Sequence, residues 1–131
     1  MKIRTGQIIQ LTETLHRMET LTGDAGYAVG RSLLALDPEY TLAQKLRINL
    51  FQKYGEKKEN GTYVVKAGQE DFIKEMDELM NREVDVNIHQ LLEEKYDPDA
   101  MYCETAQAID YRVFDELMVE RKDPEPSEVT S

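Results

Sequence analysis

The stretch that decides the fold is residues 69–88, which read QEDFIKEMDELMNREVDVNI. In its first part the apolar residues recur at steps of three and four, the period of an amphipathic helix, which we place over Gln69–Arg82. This stripe consists of Phe72 or Ile73, Met76, Leu79 and Met80. In Glu83–Ile88 the period changes to two, because apolar and polar residues alternate as in a strand with one buried face. The chain is therefore predicted to combine helices with at least one strand.

Helical periodicity also marks four segments on either side of this stretch. They are Gly6–Leu21 with Thr5 as its N-cap, a segment carrying Val29, Leu33 and Leu36, the segment Pro38–Tyr54, and a last helix with the stripe Ala106, Ile109, Val113 and Leu117. Aspartate favours the N-cap position and proline favours the first helical turn. The pair Asp37-Pro38 is therefore predicted to separate the second helix from the third, and Asp97-Pro98 to start the last one.

The predicted strand Glu83–Ile88 needs a partner, and the candidates are Lys2–Arg4 and Tyr63–Lys66. Asn60-Gly61 is a tight-turn dipeptide, so a small hairpin between Glu56–Glu59 and the residues from Tyr63 is also expected. The predicted fold class is α+β, mostly helical, with four or five amphipathic helices and a small two- or three-stranded sheet.

Chain length indicates a single domain, because 131 residues is about the size of one domain. We assign residues 1–119 to it and residues 120–131, which contain prolines and charges without periodicity, to a disordered acidic tail. No apolar run approaches the roughly 20 residues of a membrane span, and no signal-peptide apolar region follows the first residues. The single cysteine, Cys103, cannot form an internal disulfide. We therefore expect a cytoplasmic protein that does not bind membranes.

The charge of the chain is segregated. Residues 1–66 carry ten basic and seven acidic residues, a net +3, whereas residues 67–131 carry six basic and nineteen acidic residues, a net −13. A concentrated carboxylate field attracts and steers a basic partner surface, although a run of charge is also typical of a solvated helix face. The candidate partner-binding residues are Asp71, Glu75, Asp77, Glu78, Glu93, Glu94, Asp115 and Glu116.

Catalytic and metal-binding motifs are weak in this sequence. Asp71, Glu75 and Glu78 lie on one helical face, but no glycine-containing calcium loop accompanies them. His89 and Glu93 are four residues apart without a second nearby histidine, and no phosphate-binding glycine loop is present. We therefore predict no enzymatic activity, no metal site and no cofactor, and we keep a metal-dependent hydrolase as the least favoured alternative.

Basic and aromatic residues are interleaved in the first half of the chain, a mixture that also occurs in nucleic-acid-binding proteins. The residues are Lys45, Arg47, Lys53, Lys57 and Lys58 with Tyr40, Phe51, Tyr54 and Tyr63. Phe51 and Tyr54 already belong to the apolar side of their helix, and the acidic second half would repel a nucleic acid. Direct nucleic-acid binding is therefore not expected.

The order of these features resembles a known group of proteins. The features are the helix end FQKYG at 51–55, the turn ENG at 59–61, and the helix from Phe72 to Met80 that leads into the strand 83–88. In this order the chain, over residues 1–118, resembles small proteins of unknown function encoded by phages and prophages of Gram-positive bacteria. The resemblance implies a cytoplasmic phage accessory protein and supplies no active-site residues.

The functional hypothesis combines this resemblance with the charge distribution. We expect a non-enzymatic interaction protein whose acidic residues dock on a basic host or phage protein, most concretely an inhibitor of a nucleic-acid-binding host defence complex that acts by charge mimicry. The main alternative is a structural or assembly factor of the phage particle that binds through apolar contacts and forms a homo-oligomer. Salt separates the two, because screening weakens charge contacts and leaves apolar contacts nearly unchanged.

Overall fold

The computed structural model describes residues 1–121, which form four α-helices and six short strands. In chain order these are β1 (Lys2–Arg4), α1 (Thr5–His16), α2 (Gly23–Tyr54), β2 (Glu56–Lys57), β3 (Tyr63–Val64), α3 (Glu70–Met80), β4 (Glu83–Asp85), β5 (Leu91–Leu92), α4 (Ala108–Leu117) and β6 (Val119–Glu120). Two single 3₁₀ turns, Glu93–Lys95 and Pro98–Ala100, lie between β5 and α4. The protein is α+β and mostly helical, as the sequence predicted.

Helix α1 is the centre of the core, because α2, α3 and α4 all pack against it. Its apolar residues Ile8, Leu11 and Leu15 are fully buried, as is Met18 in the turn that follows. The helix ends at His16, five residues before the predicted end at Leu21. The predicted N-cap, Thr5, is wrong: Arg4 caps the helix, and its backbone N–H donates to the Gln7 side chain at 3.0 Å. Thr5 is instead the first helical residue, and its hydroxyl donates to the carbonyl of Arg82 at 3.1 Å.

The predicted break at Asp37-Pro38 is also wrong, because α2 runs unbroken from Gly23 to Tyr54 with Pro38 inside it. Proline in a helix interior removes one backbone hydrogen bond and strains the preceding turn. Buried residues on both sides of the proline, such as Leu36 and Ala43, keep the helix packed through this point. Tertiary packing therefore outweighs the local preference for a helix start.

Asp37, which the sequence predicted to be a cap, binds His16 instead. Its carboxylate lies 2.7 Å from Nε2 of His16, while Glu19 lies 2.9 Å from Nδ1. An imidazole with a carboxylate on each nitrogen donates from both, which favours the protonated ring. The hydrogen bond to Asp37, reinforced by Glu19, raises the pKa of His16 above its ordinary value of 6.5.

We expect an NMR titration of His16 to show a pKa above 6.5, and Asp37→Asn to lower it towards the ordinary value. Because the folded pKa is raised, the contribution of this ion pair to stability is present below the unfolded pKa and is lost as pH rises through the folded one. Glu19→Gln is the control and should lower the pKa less, since Asp37 has the larger effect. An unchanged titration in Asp37→Asn would show that α1 and α2 are not joined here.

The predicted strand Glu83–Ile88 is longer than the observed strand β4, which ends at Asp85 and pairs with one of the two candidate partners. Strand β4 is antiparallel to β1, with Ile3 opposite Val84. The alternation is confirmed, because Val86 is buried while Glu83, Asp85 and Asn87 are exposed. The other candidate, Tyr63–Lys66, contributes β3 to the predicted hairpin, in which β2 and β3 pair across a turn with Gly61 at φ 86°.

A third pair of strands was not predicted from the sequence. Strands β5 and β6 are parallel, with Leu91 opposite Val119 and Leu92 opposite Glu120. The described chain therefore contains three separate two-stranded sheets. Glu120, predicted to begin the tail, belongs to β6, and residues 122–131 of that predicted tail lie outside the described residues.

The second Asp-Pro pair caps a shorter element than the sequence predicted. The Asp97 carboxylate accepts a hydrogen bond from the backbone N–H of Asp99 at 3.0 Å, which is the expected capping contact. The element it starts is only the 3₁₀ turn Pro98–Ala100, and α4 begins ten residues after Pro98, at Ala108. The predicted start of the last helix is therefore wrong. Of its predicted stripe Val113 is buried, whereas Ile109 is 39% exposed and Ala106 precedes the helix.

Candidate functional site

The eight predicted partner-binding residues occupy two regions of the structure, and none of them is buried. We call the residues on helix α3, Asp71, Glu75, Asp77 and Glu78, the α3 acidic group. We call the residues near the β5–β6 pair, Glu93, Glu94, Asp115 and Glu116, the distal acidic group. Arg121, at the end of β6, connects the two halves of the distal group, since it binds Asp115 at 2.6 Å and borders the same cavity as Glu93 and Glu94.

The two acidic groups lie at opposite ends of helix α2. Lys53, near the end of α2, pairs with Glu75 at 3.2 Å. Asp24, at the start of α2, pairs at 3.3 Å with Lys95, which directly follows Glu94. At 1.5 Å per residue, the helix separates these two contacts by about 40 Å. The acidic residues therefore do not gather in one patch, and each group must be judged as a separate surface.

Helix α3 is held in place by its apolar side. Phe72 packs against Phe51 and Tyr54 of α2, with ring centroids 5.4 and 6.0 Å apart. Leu79 is buried at the other end of the helix. Glu70 and Asp71 occupy the first turn, where negative charge interacts favourably with the helix dipole. With the helix anchored in this way, four of its five acidic residues are exposed to solvent and Glu75 is half-buried.

The acidic side of α3 has a high charge density. The eleven residues of the whole helix, EDFIKEMDELM, include five acidic residues and one lysine, a net −4. Asp71, Glu75 and Glu78 follow at steps of four and three, so they share the side of α3 that borders α2. Asp71, Asp77 and Glu78 make no ion pair with any other residue in the described part of the chain. Their charges are therefore available to a partner.

Glu75 differs from the other acidic residues of α3, because its charge already has partners. Hydrogen bonds from the Tyr54 hydroxyl and from the Lys53 ammonium hold the pKa of Glu75 below its usual value. The Lys53 Nζ atom lies 3.3 and 3.2 Å from the two carboxylate oxygens. Glu75 therefore joins α3 to α2 and contributes less to the external field than its neighbours.

A cleft lies between α3 and the second half of α2. It consists of two adjoining cavities of about 270 and 70 Å³, which share Leu46, Leu79 and Arg82 in their walls. Glu75 and Glu78 border the larger cavity, and Glu39 borders the smaller one. This cleft could not be predicted from the sequence, because it depends on α2 being unbroken.

The distal acidic group is partly neutralised. Asp115 is bound by Arg121, as noted above, while Glu93 and Glu94 remain exposed beside a cavity of about 420 Å³. Glu120 and Arg121 complete the lining of that cavity, so a basic and an acidic residue stand side by side. Glu93, Glu94 and Glu116 make no ion pair in the described part of the chain, so this group differs from α3 in being divided between two segments of the chain and not in its number of unpaired carboxylates.

The cysteine and the two histidines of the described chain each contact a separate set of neighbouring residues. Cys103 is buried, and its backbone N–H donates to the Tyr111 hydroxyl. His16 is held by two carboxylates, and the ring of His89 lies edge-on against Tyr27. Within residues 1–121, no group of three or more His, Cys, Asp or Glu side chains is arranged to hold a metal ion.

The sequence analysis missed Asp110, a buried carboxylate at the start of α4. Its carboxylate is fully buried and accepts hydrogen bonds from Arg17, Thr14 and the backbone of Gln107. These bonds, chiefly those from Arg17, lower the pKa of Asp110 to about 2. In the sequence, burial of Asp110 was indicated only by its position next to Ile109 of the predicted apolar stripe. The contact ties α4 to α1 and has no access to a ligand.

Comparison with known proteins gives no relative from which a function could be transferred. No protein-family model, no curated protein and no solved structure matches this chain. None of the described helices combines the length and the apolar character needed to cross a membrane.

Proposed function

We propose that this protein is a non-enzymatic phage or prophage accessory protein that binds a basic protein surface through the α3 acidic group. In its most specific form, the acidic side of α3 takes the place of a nucleic-acid strand in the basic groove of a host defence complex. The observation that carries the proposal is the net −4 of α3 together with three carboxylates that have no ion-pair partner in the described chain.

The charge density of α3 supports the comparison with a nucleic acid. The helix is about 16 Å long, and over that length one strand of DNA carries about five phosphates. A field of this density pairs with several lysines or arginines at once and steers their approach. A single exposed ion pair contributes only about 0–1 kcal/mol, so tight binding requires such a matched set.

Apolar assembly is the second candidate function, and one feature favours it. Leu34, Leu42 and Ile48 are all more than half exposed on α2. Such residues on a long helix are suited to contact with another protein or with a second copy of this chain. Binding through them would be nearly insensitive to salt, whereas binding through α3 should weaken at least about fivefold between low and physiological salt.

The test is capture from a nuclease-treated lysate of a Gram-positive host, followed by elution with duplex DNA. We expect the wild-type protein to retain a basic protein that DNA displaces. The triple variant Asp71→Asn, Glu75→Gln, Glu78→Gln should lose it. The matched control is Glu93→Gln, Glu94→Gln, Glu116→Gln, which removes the same charge from the distal acidic group and should retain it.

Each alternative result counts against a definite part of the proposal. Equal loss in both variants would show that net charge, not the α3 surface, causes retention. A partner that is retained by the α3 variant would exclude α3 as the binding site. A partner that DNA does not displace would exclude mimicry of a nucleic acid.

A further inference from the structure

The cleft between α2 and α3 has the shape of a binding groove. Its α2 wall carries Leu42, Leu46 and Leu50 at steps of four, so they form one ridge about 12 Å long. The opposite wall and the floor include Leu79, Val84 and Ile8. Leu42 is 52% exposed, although it lies beside the buried Ala43. The cleft therefore exposes Leu42 and parts of Leu46 and Leu50 above a floor formed by the buried Ile8 and Leu79.

Charged residues border this apolar surface on both sides. Glu39 lies on the α2 side, and Glu78 lies on the α3 side. Arg82 borders both cavities. Glu75 is already paired with Lys53. Two carboxylates without an ion-pair partner in the described chain, Glu39 and Glu78, therefore border the cleft together with one such arginine, Arg82. An occupant with basic residues along its flanks would match the two acidic edges.

The geometry fits a helix better than an extended chain. A short amphipathic helix places apolar residues at i, i+3, i+4 and i+7 into an apolar groove and its polar residues at the edges. An apolar stripe of two turns on such a helix matches the 12 Å ridge of α2. A second copy of this chain is disfavoured as the occupant, because its net charge of −10 would repel an identical molecule.

We propose that the α2–α3 cleft binds a basic amphipathic helix of the partner protein. The apolar side of that helix packs on the ridge of Leu42, Leu46 and Leu50, and its lysines or arginines pair with Glu39 and Glu78. This inference rests on the proposed function, because Glu78 belongs to the α3 acidic group. It adds that recognition is not purely electrostatic: the partner must offer an apolar stripe beside its charge.

The experiment uses two labelled peptides of identical leucine and lysine composition, each about 14 residues long, or four helical turns. In one peptide the leucines form a single helical stripe, and in the other they are distributed around the helix. Binding to the full-length protein is followed by fluorescence anisotropy at low and at physiological salt. We expect the striped peptide to bind at least about tenfold more tightly, a difference of about 1.4 kcal/mol.

Two matched substitutions locate the binding site. Leu42→Gln lies in the cleft and should weaken binding of the striped peptide at least about fivefold, as expected when an apolar contact is lost. Leu34→Gln is the control, since Leu34 is 69% exposed on the same helix but does not border the cleft. It should change binding less than about twofold. Both side chains are largely exposed, and an unchanged urea midpoint will verify that both variants fold.

The possible results separate the cleft from the acidic surface. If both peptides bind equally and only the α3 amide variant weakens them, the cleft proposal is wrong while charge-driven docking stands. If Leu42→Gln weakens binding and the amide variant does not, the cleft is supported and charge-driven docking is wrong. If neither peptide binds at low salt, the cleft proposal is overturned. If sedimentation shows a dimer that Leu42→Gln dissociates, a second copy occupies the cleft, and the basic partner is excluded.

Discussion

Replacement of Asp110 by asparagine is expected to lower the free energy of unfolding by about 3 kcal/mol. The fully buried carboxylate accepts bonds from Arg17 Nε at 2.8 Å and Nη2 at 2.7 Å, from the Thr14 hydroxyl at 2.9 Å, and from the Gln107 N–H at 2.9 Å. Asparagine replaces one acceptor oxygen with an NH₂ group, so a donor would face another donor inside the protein. It also removes the charge that Arg17 pairs with.

The measurement is urea unfolding, in which a loss of 3 kcal/mol shifts the midpoint by about 1.5 M at an m-value of about 2 kcal/mol/M. Asp115→Asn is the matched control, because Asp115 lies on the same helix with a single exposed ion pair to Arg121. It should cost less than about 0.5 kcal/mol. A loss below about 1 kcal/mol in Asp110→Asn would show that the buried network does not hold α1 and α4 together.

The same carboxylate should leave a signature in acid. Its pKa is about 2 in the folded protein and 3.8 ordinarily, so the folded value is depressed. The stability it contributes is therefore present above about pH 4 and is lost as pH falls towards 2. Asp110→Asn should remove this part of the acid dependence, and its stability difference from the wild type should shrink in that pH range.

The parts of the fold that follow from local period were predictable. The buried stripe of α1, the helix α3 and the alternating strand β4 each depend on residues that lie close together in the sequence. The wrong predictions concern elements whose structure is determined by contacts between residues far apart in the sequence. Pro38 stays inside α2 because both halves of that helix pack on the core, and β5 pairs with β6 across 26 residues of intervening chain.

The candidate site shows the same division. The spacing of Asp71, Glu75 and Glu78 predicted one acidic side of α3, because helical geometry alone determines it. Their separation from Glu93 and Glu94 could not be predicted, since it depends on α2 being a single helix with one group at each end. The cleft has the same origin: a break at Pro38 would have left the orientation of Leu42 and Leu46 towards α3 undefined.

The second large effect on stability is expected from Gly26→Ala, in the first turns of α2. The chain reverses after Leu21, and the Leu21 carbonyl comes to lie directly against Gly26. A Cβ at this position would overlap the carbonyl oxygen and lie 2.8 Å from the carbonyl carbon. Both atoms are backbone and cannot rotate away, so either the turn or the start of α2 must move. We expect the free energy of unfolding to fall by about 2–3 kcal/mol.

Gly30→Ala, one turn further along the same helix, is expected to have the opposite effect and to stabilise the protein. Nothing lies within 4 Å of a Cβ at Gly30, which is exposed in the interior of α2. Alanine there should raise the free energy of unfolding by about 0.5–1 kcal/mol, because glycine gives up more backbone freedom in a helix. Urea midpoints of the two variants should therefore move in opposite directions from the wild type. If Gly26→Ala also stabilises the protein, the close approach of Leu21 is absent in solution, and the connection between α1 and α2 must differ from the one described.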